Sequence, residues 1–313
     1  MFFSSWLRKP NAKPRTSRRA SATFRPRLEA LEGRVVPSTL TVTNNLDSGA
    51  GSLRADIAAA NSGDTIQFAP SLSGQTIGLV HDLAINKNLT IKGPSAPNTP
   101  VTISGQNQTR IFEVDGATTN VTLSNLNLID GDGFDPYPFS ASAPNGQGGA
   151  IWNGGTLTIT GCNLNHNTNN IDFGNVTAFG GAIYNAGTLS VQNCILNNNS
   201  AGPASSASNT GFGYLANGQG GAIYNAGMLT VSNSTLDYNF VTGFPAEGRA
   251  IFNAYNATAT ITNSTLFSYN DGSLGTIYNQ GTMTLSGCTV SGGMYNLGTL
   301  VVIGVIGGKD HGK

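Results

Sequence analysis

The octapeptide GGAIYNAG occupies residues 180–187 and returns letter for letter at 220–227. A repeat of this kind assigns most of its residues to architecture before any can be read as chemistry. Working outward, the same frame is found in GGAIWNGGTLTITGCNLNHN from 148, GGAIYNAGTLSVQNCILNNN from 180 and GGAIYNAGMLTVSNSTLDYN from 220. AIFNAYNATATITNSTLFSYN from 250 carries an insertion, and GTIYNQGTMTLSGCTVSGG from 275 and MYNLGTLVVIG from 294 complete the series. Inside each copy apolar residues alternate, as in Leu157 and Ile159, Leu189 and Val191, Leu229 and Val231, and Met283 and Leu285. Runs this short, with period two and bounded by Gly and Asn, are strands, and no copy has room for a helix.

One copy cannot bury its apolar face alone, whereas stacked copies can, with coils about 4.8 Å apart. Stacking places like on like. Ile151, Ile183, Ile223, Ile251 and Ile277 are expected to form an interior ladder, and Trp152, Tyr184, Tyr224, Phe252, Tyr278 and Tyr295 an aromatic one. Asn153, Asn185, Asn225, Asn253, Asn279 and Asn296 are expected to form an amide ladder at a turn, because Asn tolerates the left-handed conformation and bonds its neighbours. Cys162, Cys194 and Cys288 share one repeat position with Ser234 and Ser264, which marks a slot for a small side chain and neither a disulfide framework nor a metal site.

GGAI, intact at Gly148–Ile151, Gly180–Ile183 and Gly220–Ile223, and an LxxN motif at Leu164–Asn167, Leu196–Asn199 and Leu236–Asn239 resemble the GGAI and FxxN repeats of chlamydial polymorphic outer-membrane proteins and of related pectin-lyase-like β-helices. Phe267–Asn270 is read as the copy that keeps the Phe. The resemblance implies an all-β, right-handed parallel β-helix. It implies little about activity, since that fold hosts lyases, hydrolases and adhesins alike. SLRADIAAANSGDTIQF (52–68) resembles the N-terminal cap of such helices: Ser52 is a good N-cap, Leu53 and Ile57 share a face, and Asn61 with Gly63 ends a helix of about 52–61. Strands are then expected at 65–68, 76–80, 89–91, 101–103, 111–114 and 121–129.

The chain has 313 residues, of which 10% are charged, and its net charge of zero hides an asymmetry. Residues 1–37 hold nine Lys/Arg against Glu29 and Glu32, while 38–313 hold seven cations against fourteen acids. The basic segment is read as a disordered leader, residues 38–304 as one β-helix domain and 305–313 as a tail. Within the leader, RPRLEALEGRVVPS (25–38) resembles the leaders of secreted and envelope proteins of planctomycete bacteria, which implies export to the surface or outer envelope. The basic leader could attract polyanions, but it has no aromatic interleaving or zinc-ligand spacing, so no nucleic-acid partner is expected. No run reaches the ~18 apolar residues that a transmembrane helix needs. The last coil shows no clear cap, which leaves self-association through it open.

Extra residues enter the repeat at one place, between LxxN and the next GGAI, so the insertions should project from one face. They carry Phe134, Tyr137, Phe139, Phe173, Phe179, Phe212, Tyr214, Phe240 and Phe244, which are the candidate binding residues. The functional reading is an aromatic ridge for sugar rings; the other is that these rings pin their own loops. For catalysis the material is sparse. Between Arg110 and Lys309 the only cation is Arg249, and between Pro136 and Gly308 the only acids are Asp172, Asp237, Glu247 and Asp271. A hidden acid pair among Asp237, Glu247 and Asp271, beside Arg249, would make the chain a polysaccharide lyase or glycoside hydrolase. His166 reads as a solvated turn residue. Asp130, Asp132 and Asp135 hint at a calcium loop, but Asp-Gly turns explain them more cheaply, and no metal or cofactor is expected. The leading expectation is a non-catalytic surface protein that binds polysaccharide or another envelope protein through its loops, or that is structural. The alternative is a polysaccharide-active enzyme.

Overall fold

Like strands of successive copies pair in parallel and in register, as Ile151 with Ile183, Leu157 with Leu189, and Leu164 with Leu196. The computed structural model describes residues 36–95, 99–133, 145–169, 177–203, 217–243, 245–268 and 275–310. They form an all-β parallel β-helix with three strands per coil. The first face is a ten-stranded sheet running from Thr39–Val42 to Thr299–Ile303. The second runs from Thr76–Gly78 through Asn163–Asn165 and Ile195–Asn197, and the third from Leu83–Ile85 through Ile151–Asn153 and Ile183–Asn185. Strand Thr289–Asn296 belongs to both the second and third faces, because this coil carries no insertion and passes straight from one to the other.

Inward-pointing residues of the three faces make one continuous core. The isoleucine ladder is there, with Ile151, Ile183, Ile223, Ile251 and Ile277 all buried. Outward positions of the first face are mostly hydroxylated, as Thr122, Thr158, Ser190, Thr230, Thr260 and Thr284 on successive strands. At the strand Thr299–Ile303 the rank changes to Val301, which is exposed.

In six coils Asn or Gly occupies the corner between first and second faces. Asn125, Gly161, Asn193, Asn233, Asn263 and Gly287 all have φ between 47° and 61°. Both residues enter the left-handed region at low cost, which explains why they interchange here. The corner after the second face is also left-handed, at Asp130, His166, Asn198 and Tyr238. His166 is exposed there. Asp130 is therefore a corner residue, and Asp132 bridges to Thr168 on the next coil.

These corners correct the expectation for the amide ladder. Asn153, Asn185, Asn225, Asn253 and Asn279 end extended strands, and none is among the residues with positive φ. The ladder exists because each amide bonds the next. Nδ2 donates to the Oδ1 one coil on at 2.7 Å from Asn153, Asn185, Asn225 and Asn253, and at 2.8 Å from Asn279 to Asn296. A second ladder uses the Asn of LxxN. Asn167 donates to Asn199 and Asn199 to Asn239, each at 3.0 Å, while their Nδ2 groups also reach Leu128 and Leu164 carbonyls.

The register also corrects the fourth LxxN copy. Leu236 pairs with Leu266 and not with Phe267, and Leu266 is buried in the core while Phe267 points away from it. The Phe267–Asn270 spacing is thus offset by one residue from the ladder, and Asn270 lies outside the described residues.

The cysteine slot proves to be a hydrogen-bond ladder as well as a small-residue site. Backbone N–H of Leu126, Cys162, Cys194 and Ser234 donate to the side chains of Cys162, Cys194, Ser234 and Ser264 on the next coil. Each of these side chains donates in turn to the carbonyl two residues back. Thiol and hydroxyl both serve, so Cys and Ser alternate. Burial pushes the Cys162 thiol up to about 12. All three thiols are buried, so iodoacetamide at neutral pH should leave them unlabelled in the folded chain and label them in urea. Rapid native labelling of Cys162 would contradict its placement. Above the ordinary thiol value of 9.0 the unfolded chain ionises first, so stability from this site is full below that pH and falls as pH rises toward about 12.

Helix Leu53–Ala59 closes the N-terminal coil, with Leu53 and Ile57 buried in the same core. The Ser52 hydroxyl accepts from the Ala55 N–H at 3.2 Å. Lys87 Nζ donates to the carbonyls of Ile57, Ala58 and Ala60 at the other end, where a cation offsets the helix dipole. The helix stops two residues before the expected Asn61. The Asp64 carboxylate takes the Asn61 N–H at 2.8 Å and the Ser38 N–H at 2.6 Å, tying the chain to the first strand. These backbone bonds hold the Asp64 carboxyl below its ordinary pKa. Strands form within the expected 65–68, 76–80, 89–91, 101–103 and 111–114, whereas Thr39–Val42 and Leu83–Ile85 were not expected, and 121–129 divides into Asn120–Ser124 and Leu126–Ile129 at left-handed Asn125. Residues Ile306–Asp310, read as tail, form a strand beside Thr289–Asn296.

Candidate functional site

The insertions leave the coils at a single seam between the second and third faces, and their roots are themselves stacked. On the outgoing side Thr168–Asn169, Ser200–Ala201 and Phe240–Val241 form a three-stranded parallel sheet. On the returning side Ala178–Phe179 pairs with Gly218–Gln219, and single bridges extend that rank to Gln147 and Glu247. Ala178, Ala201, Val241 and Ala246 make a small core of their own between these roots. Gly218 has no side chain because a Cβ there would collide with the Ala201 carbonyl. The seam is thus a built wall, which the sequence reading did not anticipate.

Beside it on the third face runs the aromatic ladder. Tyr184 and Tyr224 stack at 5.3 Å and 5°, Tyr224 and Phe252 at 5.1 Å and 8°, Phe252 and Tyr278 at 5.1 Å and 6°, and Tyr278 and Tyr295 at 6.2 Å and 21°. Trp152 continues the register onto Tyr184. Stacked this closely, the rings spend their faces on one another, and Phe252 in the middle of the row is buried. Such pairs contribute roughly 0.5–1.5 kcal/mol each beyond burial.

Two of the nine candidate loop aromatics fall among the described residues. Phe179 is half-buried and packs on the ladder, 4.6 Å from Tyr224 and 6.2 Å from Tyr184 in tilted and edge-on geometry. It pins its loop root. Phe240 is 43% exposed on the outgoing wall and faces solvent. Phe134, Tyr137, Phe139, Phe173, Phe212, Tyr214 and Phe244 lie outside the described residues, as do Asp135, Asp172 and Asp271.

Sequence reasoning missed the polar partners of the ladder. Gln147, Phe179, Gln219 and Glu247 hold one rank on four successive coils, and each directly precedes the Gly that opens the next third-face strand. That common offset was the available signal. Trp152 Nε1 donates to Gln147 Oε1 at 3.0 Å, and Gln219 Nε2 donates to Glu247 Oε2 at 2.7 Å. Burial pushes the Tyr224 phenol up to about 12, with the Tyr184 and Glu247 charges adding. Tyr278 is raised too, by burial first and then by the Glu247 charge and the hydrogen bond it makes to that carboxylate.

The acids proposed for catalysis are not drawn into one rank. Glu247 stands beside Gln219 at the seam, whereas Asp237 stacks under Asn197 on the second face. Burial raises the Asp237 carboxyl, and its buried Oδ1 takes no hydrogen bond. Among the described residues no group of three or more His, Cys, Asp and Glu side chains could hold a metal ion. Among the same residues no helix is long and apolar enough to cross a membrane.

No protein-family model matches the chain, and no curated protein matches it.

Proposed function

We propose that this chain is a non-catalytic, exported envelope or surface protein whose loop-bearing seam binds polysaccharide or a partner protein. The observation that supports it best is the seam itself. The insertions after Asn169, Ala201 and Val241 leave through one stacked wall, next to the stacked aromatic row, with exposed Phe240 on its flank. A scaffold that only filled space would gain nothing from concentrating its insertions there, whereas loops displayed from a rigid frame are the usual carriers of binding. The resemblance of the GGAI repeats to polymorphic outer-membrane and pectin-lyase-like proteins, and of residues 25–38 to planctomycete leaders, agrees with a surface location.

The test incubates the full chain with insoluble polysaccharides, measures co-sedimentation, and follows polymer length by size-exclusion chromatography. The expected result is retention with polymer length unchanged, weakened at least about fivefold in Phe240→Ala, a substitution at an exposed site that leaves the core intact. Shortened polymer would overturn the non-catalytic reading and assign the chain to polysaccharide cleavage. Retention equal in Phe240→Ala and wild type would remove the seam from the account.

A further inference from the structure

The strip Gln147, Phe179, Gln219 and Glu247 is periodic along the solenoid axis, with one residue per coil. At about 4.8 Å per coil, three steps span about 14 Å. All four residues are half-buried, so their backbones and side-chain bases are fixed while their outer surfaces remain reachable. The strip supplies amide donors and acceptors, one carboxylate and one ring, each held by a named neighbour: Trp152 on Gln147, the tyrosine stack behind Phe179, and Gln219 on Glu247. A row of spaced hydrogen-bonding groups with a regular axial step suits a polymer of similar step, not a compact ligand.

Charge narrows the polymer further. From residue 110 to residue 249 the sequence contains eight Asp and Glu against two cations, Arg110 and Arg249, and Arg110 is buried and donates to the Gln147 and Gly148 carbonyls. Eight acids against two cations leave the stretch net negative, and Glu247, within the strip itself, would repel a polyanion. A carboxylate is, by contrast, a strong acceptor for hydroxyl groups, and two amides can both donate and accept.

We infer that this strip takes an extended, neutral, hydroxyl-rich polysaccharide lying along the solenoid axis, with Gln219 and Glu247 reading its hydroxyls. The inference rests on the seam being the binding face and names the class of polymer it selects. Acidic polymers, the natural substrates that a pectin-lyase-like resemblance would bring forward, are selected against.

The experiment is affinity electrophoresis of the full chain in gels containing either a soluble neutral β-glucan or polygalacturonate. The variants are Gln219→Ala, Glu247→Gln, Glu247→Lys and Phe240→Ala, with Thr260→Ala on the first face as control and urea midpoints as the folding check. The β-glucan should retard the wild type. Gln219→Ala and Glu247→Gln should each weaken that about tenfold, the worth of one hydrogen bond, while Thr260→Ala and all midpoints stay unchanged. The basic residues 1–37 will hold some polygalacturonate, and this should be equal in wild type and Glu247→Gln. Retardation by polygalacturonate alone, strengthened in Glu247→Lys, would overturn the neutral class and leave the seam as the binding face. β-Glucan binding lost in Phe240→Ala but untouched by changes at Gln219 and Glu247 would overturn the strip. Retardation by neither polymer in any form would overturn the strip together with the polysaccharide side of the proposed function.

Discussion

Asn225→Ala is expected to cost about 4 kcal/mol, seen as a lower urea midpoint by circular dichroism. The Asn225 side chain is fully buried. Its Oδ1 accepts from Asn185 Nδ2 at 2.7 Å, and its Nδ2 donates to Asn253 Oδ1 at 2.7 Å and to the Thr258 carbonyl at 3.1 Å. Truncation removes one rung and strands polar atoms on both neighbouring coils, and each stranded group carries a penalty of about 1–3 kcal/mol. Asn225→Asp isolates the cause, since its shape is kept. A carboxylate cannot donate to Asn253, but a protonated carboxyl can, so this variant should gain stability as the pH falls through its own pKa. An Asp variant as stable as wild type at neutral pH would show that the amide ladder does not hold the coils together.

Gly181→Ala is expected to be of similar size, at least about 3 kcal/mol. A methyl at Gly181 would lie 2.5 Å from the Ser200 nitrogen and closer still to the Gly221 carbonyl oxygen, so backbone on two sides would have to move. The same holds at Gly221, against the Phe240 and Arg249 carbonyls. The first Gly of the motif differs in kind, since Gly148, Gly180 and Gly220 have φ of 70–73°. Both glycines of GGAI lack room for a Cβ, the first against the carbonyl three residues on and the second against the neighbouring coil, and the first also makes the left-handed bend. A contrasting substitution is Gly161→Asn. Asn193 and Asn233 occupy the equivalent left-handed corner with φ of 53° and 49°, so this change should cost under about 1 kcal/mol. A similar loss in Gly161→Asn and Gly181→Ala would refute the distinction.

What was legible in the sequence is what stacking repeats. Ile151 to Ile277, Tyr184 to Tyr295 and the Cys/Ser slot announce their ladders because each must match the residue above and below. The cap was legible too, since Ser52, Leu53 and Ile57 are local signals. Three features were not. The Asn ladder was assigned a left-handed turn that in fact belongs to Asn125, Asn193, Asn233 and Asn263, because residue type alone does not separate an amide that bends the chain from one that bonds the next coil. Phe267 was read into the LxxN ladder on its spacing, although pairing with Leu236 places Leu266 there. The walls of the seam went unseen because Thr168–Asn169, Ala178–Phe179 and their partners are two residues long, too short for any periodicity. Yet those walls carry Phe240 and the strip from Gln147 to Glu247. The functional candidates thus lie where the repeat breaks, which is also where pattern reading has least to work on.

The central claim is that ligand meets this solenoid at the seam. Hydrogen–deuterium exchange of the full chain with and without bound β-glucan tests it most directly. Protection is expected in peptides covering 145–149, 177–180, 217–221 and 240–249, with the hydroxyl ranks of the first face unchanged. Protection confined to first-face peptides such as 156–160, 188–192 and 258–262 would place the binding surface on the opposite side of the coil and contradict the account.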